Sequence, residues 1–96
     1  MGYNKIVAIV VKGLIWDDWN KQHIAEHDIS VDEVEEVCHG KYKTIESYRK
    51  RIQLLGSTRK GRLLMIILSP ETRDLIAYKK GIYYPITAFE EEVNIK

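Results

Sequence analysis

Residues 30–46 read SVDEVEEVCHGKYKTIE, and the change of rhythm at Gly40 decides the fold class. Ser30 can accept a bond from the backbone N–H three residues on, while Glu33 reaches back to the Ser30 N–H; this reciprocal pair opens a helix. Val31, Val34, Val37 and Cys38 then fall on one narrow apolar stripe, with Asp32, Glu33, Glu35 and Glu36 on the wet side. Gly40 suits the position just past a helix C-terminus. Beyond it the pattern changes to the alternation of strands, weak over 41–46.

Strand signals continue outward from there. Residues 50–57 form a better strand, and Ser57-Thr58-Arg59-Lys60-Gly61-Arg62 reads as a turn in which Gly61 is free to take positive φ. Leu63 to Leu68 is apolar throughout, which predicts a central strand. Residues 69–74, with Pro70, read as a second turn. Residues 75–79 and 82–87 read as one bent strand or two short ones, with Pro85 at an edge or bulge. Glu90 to Lys96 is a short acidic tail. In the other direction, residues 5–16 are rich in Val and Ile and read as a strand with a bulge at Gly13. Asp17 or Asp18 caps a first helix running to about His27. The order β-α-α-β-β-β-β predicts a small single α+β domain over residues 1–96, an antiparallel sheet with two helices packed on one face. The other face is left for a binding partner or a second copy of the chain.

Apolar residues make up 45% of the 96 and charged residues 30%, an ordinary globular balance. Cys38 is the single cysteine, so no internal disulfide can form, and a lone thiol fits a reducing compartment. The apolar run Ile6 to Val11 is too short to span a bilayer and lacks the flanks of a secretory signal. Gly2 invites myristoylation, but Ile6 stands where that motif needs Ser or Thr. The expectation is a cytoplasmic protein with no membrane partner. The net charge of +1 hides a strong asymmetry. Residues 17–46 hold nine acids against three lysines, whereas residues 47–62 hold six bases (Arg49, Lys50, Arg51, Arg59, Lys60, Arg62) and no acid. Such a division marks either a polyanion-binding face or two halves that pair internally.

The basic hairpin carries the strongest chemical signal. Arg51 begins one strand and Arg59, Lys60 and Arg62 sit on the turn after it, so the four are expected to form one positive patch able to hold phosphate oxygens. Tyr48, Tyr78, Tyr83 and Tyr84 are candidates for base stacking. The alternative is a solvated turn with no ligand. His23-Ile24-Ala25-Glu26-His27 matches the H-x-x-E-H zinc pattern, but a catalytic zinc needs a third ligand and His39 is the only other histidine; neither catalytic zinc nor another cofactor is expected. His27 near a helix C-terminus favours the dipole when protonated, and His23 has the ordinary chemistry of a general base. Trp16 and Trp19 are expected as core or helix-packing residues, and Cys38 as a small buried hydrophobe. There is no Gly-rich phosphate loop, nucleophile elbow or paired-cysteine motif.

Taken in order, several of these segments resemble the BrnT-like toxins. Leu14-Ile15-Trp16-Asp17, then Asn20, His23 and His27, then Ser30 with Glu33-Val34-Glu35-Glu36-Val37 resemble the family's opening strand and two helices. Leu55-Gly56-Ser57-Thr58 with Gly61-Arg62-Leu63-Leu64 resembles its G-x-[ST]-x-x-G-R-x-L hairpin, and Tyr83-Tyr84-Pro85-Ile86-Thr87-Ala88 its last strand. The likeness covers about residues 12–88. It implies a RelE-like ribonuclease fold, metal-independent cleavage of messenger RNA, and an antitoxin protein as partner. It further implies catalytic roles for His27, Arg51 and Arg62, with His23 a second candidate base, and RNA binding by Arg59, Lys60 and Tyr83. In such a reaction a base takes the proton of a ribose 2′-hydroxyl while cations stabilise charge on the phosphate oxygens. The sequence departs from the family after Ala88, where Phe89 replaces an arginine and Glu90-Glu91-Glu92 replaces a basic helix. Those departures favour a second reading, a non-catalytic relative that binds RNA or protein.

Overall fold

The computed structural model describes residues 5, 6 and 8–92. The chain runs β1 (Lys5–Ile6), β2 (Gly13–Leu14), α1 (Asp18–Ala25), α2 (Val31–Cys38), β3 (Tyr42–Glu46), a 3₁₀ turn (Tyr48–Lys50), β4 (Ile52–Ser57), β5 (Leu63–Ser69) and β6 (Ile82–Glu90). The strands form one sheet in the order β1-β3-β4-β5-β6-β2, so β5 is central, as its unbroken apolar run predicts. All pairs are antiparallel except β2 with β6, which runs parallel at one margin. The α+β class and the order of helices before strands are as the sequence predicts.

Both helices start as their caps require. Asp17 accepts from the Asn20 N–H and Asn20 Oδ1 from the Asp17 N–H, each at 2.9 Å. Ser30 and Glu33 make the same reciprocal pair for α2. One face of the sheet presents Ile52, Leu54, Leu64, Ile66, Leu68 and Ala88, all buried, to Ile24 of α1 and to Val34, Val37 and Cys38 of α2. Burying a Leu or Ile side chain contributes about 1.5–3 kcal/mol, so this single cluster supplies most of the cohesion. Gly56 lets α2 close on β4: a Cβ there would stand 2.8 Å from Val37 Cγ1 and 3.0 Å from the Lys41 carbonyl oxygen. On the uncovered face Leu55, Leu63, Met65 and Ile67 are half-buried and Ile45 is exposed.

Two expectations are corrected and a third is met. The strand expected over 5–16 is two two-residue strands, β1 and β2, paired at opposite margins of the sheet, and the chain between them crosses from one margin to the other. Residues 75–79 form no strand; the loop over 70–81 holds only one isolated bridge, Glu71 with Ala77, and Leu75 within it has φ +65. The expected bulge at Pro85 is present: Ile67 faces Thr87 while Leu68 faces Pro85, leaving Ile86 unmatched. Pro85 has no N–H, and its carbonyl turns to α1 instead, accepting from Asn20 Nδ2 at 3.0 Å. Asn20 Nδ2 also donates to the Ile15 carbonyl at 2.9 Å, so this fully buried amide holds α1, β6 and the chain leaving β2 together. No helix among the described residues is long and apolar enough to cross a membrane.

Candidate nucleic-acid interface

The β4 strand separates the basic residues that lie close together in the sequence. Six residues rising about 3.4 Å each put Arg51 roughly 20 Å from the turn that follows Ser57. The expected single patch of Arg51, Arg59, Lys60 and Arg62 is therefore two regions at opposite ends of the sheet, and the two have different surroundings.

At the turn end the charges are paired. Arg62 Nη1 donates to both carboxylate oxygens of Glu33 at 2.9 and 2.8 Å and to the Asp28 carbonyl at 3.0 Å. Its Nη2 and Nε reach Glu90 at 3.0 and 3.2 Å. Burial pushes the Glu33 carboxyl up, but the Ser30 backbone N–H and the Arg62 guanidinium together outweigh it and hold the group below its ordinary range. Glu33 and Glu90 in turn hold the Arg62 guanidinium above its ordinary value. The Arg59 N–H donates to Glu36, whose carboxylate also stands 3.9 Å from the Arg59 Nε. Helix α2 thus places its acids over the basic turn, and Glu90, the first residue of the acidic tail, belongs to the same knot.

At the other end a cleft of about 460 Å³ opens between the start of α1, the start of β4 and the loop after β5. Its walls include Asp17, Trp19, Arg51, Arg73, Tyr78 and Tyr84, with Glu71 and Asp74 on the loop side. Antiparallel pairing puts the 47–51 turn and the 70–81 loop at this same end of the sheet, with Arg49, Lys50, Arg51, Arg73, Lys79 and Lys80 all exposed on them; Arg51 and Arg73 line the cleft itself. None of the six is in an ion pair among the described residues. The Tyr84 hydroxyl donates to both Asp17 oxygens at 2.9 Å. The Asn20 N–H holds the Asp17 carboxyl low against the effect of burial, with Tyr84 adding to it. Burial, then the bond to Asp17, pushes the Tyr84 phenol up to about 12, so at neutral pH Tyr84 is a donor and not a base.

A row of rings runs from the cleft along α1. Trp19 and His23 stack with centroids 4.8 Å apart and planes 10° apart. His23 meets His27 edge-on at 5.8 Å, and His27 lies 6.3 Å from Phe89 on β6. The Arg73 guanidinium stands 5.8 Å over the Trp19 ring at the cleft end. Residues four apart share a helix face, so the spacing 19, 23, 27 is what builds the row.

The structure distributes the sequence-derived candidates accordingly. Arg51 lines the cleft, and His23 stands one ring behind its Trp19 wall. His27, Arg62, Arg59 and Lys60 lie toward the far end, so the four residues given catalytic roles by the resemblance do not converge. Tyr83 packs against the core, while its neighbour Tyr84 faces the cleft. Trp16 is half-buried and donates to Glu35 at 2.8 Å; Trp19, expected in the core or packed on a helix, is 47% exposed and so lies outside the core. Cys38 is buried as expected, and burial pushes its thiol up to about 12, with the Glu35 charge adding to that. His39 bonds back to Glu35 at the end of α2, away from the other two histidines. Sequence reasoning missed Arg73 altogether; it sits in a loop with no motif, and only the fold of residues 70–81 brings it over Trp19. Compared with known proteins, the chain matches no family model, no curated protein sequence and no solved structure.

Proposed function

We propose that this protein acts on single-stranded RNA, engaging it in the cleft at the Arg51 end of the sheet. In the setting that the BrnT-like resemblance implies, it is a toxin held by an antitoxin protein. One observation carries the reading: Arg51 and Arg73, neither in an ion pair among the described residues, share a cleft with the rings of Trp19, Tyr78 and Tyr84. Guanidinium groups hold phosphate oxygens, and rings hold unstacked bases, which is how single strands are bound. Asp17, the acid of that wall at the start of α1, is occupied by Asn20 and Tyr84 and has less negative potential to offer the strand.

Binding without cleavage is the second reading, and Arg62 favours it. A guanidinium shared by Glu33 and Glu90 has no free edge for a developing phosphate charge. If cleavage does occur, Arg51 is the electrostatic group in place and His23 the nearest candidate base. The test is a fluorescent single-stranded RNA in the presence of a chelator, followed by anisotropy for binding and by gel for cleavage. Binding that weakens about tenfold in Arg51→Ala supports the reading, and product in the same tubes decides for the metal-independent nuclease. A folded protein that binds no RNA overturns it.

A further inference from the structure

We propose that Trp19 is a platform for one nucleobase, and that Arg73 covers the platform when it is empty. This rests on the RNA reading above and names what the cleft does with the strand. The Trp19 ring has two faces. His23 is stacked against one at 4.8 Å and nearly parallel, which fixes the indole plane and leaves no room for a base on that side. His27 and then Phe89 stand behind His23 and buttress it. The second face turns to the cleft, where it meets the Arg73 guanidinium at 5.8 Å. Arg73 makes no ion pair among the described residues and belongs to an exposed loop; it rests over the ring face and feels the Asp17 charge across the cleft. Such a cation–ring contact is weak at an exposed site.

A nucleobase offers the indole a larger stacking area than the guanidinium does. It displaces Arg73 from the ring, and the displaced cation then stands within the same cleft as the strand's backbone, where a phosphate is its natural partner. Exchange of a cation–π contact for a base stack plus an ion pair makes the site favour a chain that carries both bases and phosphates over a simple polyanion. The exposed tryptophan has this use and little structural one: α1 is held by Ile24 and Asn20, both buried, on its other side.

The experiment is anisotropy of a labelled oligouridine and of an abasic ribose-phosphate chain of equal length, against wild type, Trp19→Phe, Trp19→Leu and Arg73→Gln. A stacked base contributes enough that its loss should weaken oligouridine binding about tenfold in Trp19→Leu, whereas Trp19→Phe, which keeps a ring, should stay within about threefold of wild type. The abasic chain should bind wild type and Trp19→Leu alike. Arg73→Gln should flatten the salt dependence of oligouridine binding by about one unit of slope. Oligouridine binding that is equal in wild type and Trp19→Leu, or an abasic chain that binds wild type as tightly as oligouridine, overturns the platform and leaves the RNA reading standing. No binding of either chain to wild type whose circular dichroism shows it folded overturns both.

Discussion

The two ends of the sheet each carry a group of basic residues, and the two groups have opposite fates. At the end near Gly61, Arg62 and Arg59 meet Glu33, Glu36 and Glu90, and their charge is spent on tying α2 and β6 to the hairpin. At the end near Arg51, the cations of one turn and one loop make no ion pair among the described residues, and rings line the cleft beside Arg51 and Arg73. A run of bases in the sequence says nothing by itself about which fate each will have. The deciding quantity is the position of α2, whose first turn lies over one end of the sheet only. On the proposed reading the first end serves structure and the second a ligand, and that division can be broken by experiment.

The largest expected effect is on the amide that locates α1. Asn20→Ala leaves the buried Pro85 carbonyl, and the part-buried Ile15 carbonyl and Asp17 N–H, without their side-chain partner. Buried groups left unsatisfied cost about 1–3 kcal/mol each, so the substitution should destabilise the protein by about 3 kcal/mol in urea unfolding. An unchanged midpoint would mean that α1 is held by Ile24 alone. Next comes a crossed pair of variants. Arg62→Ala should lower the thermal midpoint by several degrees and leave RNA affinity within twofold. Arg51→Ala should do the reverse, with affinity down about tenfold and a salt slope reduced by about one. If Arg62→Ala weakened RNA binding in a protein still fully folded at the assay temperature, the division of labour between the ends would be wrong. The pair also guards against a false reading in growth assays, where loss of toxicity in Arg62→Ala would follow from instability as readily as from lost chemistry.

Alkali should separate the ends in a way that acid does not. Glu33 at one end and Asp17 at the other both have depressed carboxyl values, so each contributes stability that is present above the ordinary carboxylate range and lost as pH falls through its folded value. Acid therefore loosens both. Tyr84 belongs to the cleft end alone, and its phenol is raised from 10.0 to about 12. Its contribution is fully present below pH 10 and is lost as pH rises toward 12. Hydrogen exchange of the Asn20 amide relative to the Glu33 amide, followed from pH 9 to 11, should therefore show the cleft end opening first, and Tyr84→Phe should remove that difference.

What the sequence made legible was whatever depends on neighbours along the chain. The two N-terminal caps, the Val31–Val34–Val37 stripe, the Gly61 turn and the bulge at Pro85 are local devices, and each is found where its residues predicted it. What stayed hidden depends on which segments the fold brings together. Residues 5–16 have the composition of one strand, but their β-bonding partners lie at opposite margins of the sheet, so the segment divides. Residues 75–79 lose their strand because the loop is anchored by Tyr78 to the Pro70 carbonyl and by Thr72 to Ile76, local bonds that compete with a ladder. Arg51 looked adjacent to Arg59 because eight positions are few in sequence, and a strand makes them far apart in space. Trp19 looked like a core or helix-packing residue because tryptophans usually are; its exposure follows from Asn20 and Ile24 taking the inner face of a short helix.

The smallest expected effect tests the contrast in the backbone itself. Both ends of β4 are tight hairpins that need left-handed residues. At the Arg62 end the position is filled by Gly61, φ +90, at no steric cost, and a Cβ there would meet nothing within 4 Å. At the cleft end the same demand falls on Arg49 and Lys50, with φ +62 and +64. A non-glycine residue in that region costs about 1–2 kcal/mol, and strain of this kind collects where side chains have work to do. The turn keeps two basic side chains at the same end of the sheet as the cleft, one of them, Arg49, resting 5.2 Å over the Tyr48 ring. Replacing the pair with the residues such a hairpin prefers, Arg49→Asn with Lys50→Gly, should raise stability by about 1 kcal/mol after allowance for the freedom glycine adds to the unfolded chain. The same double variant should weaken RNA binding severalfold at low salt and bring the affinities together at high salt, because two screened phosphate contacts have gone and no stack has. Stability gained with binding unchanged at every salt concentration would show the strained turn to be a structural accident and would move the boundary of the interface back to Arg51.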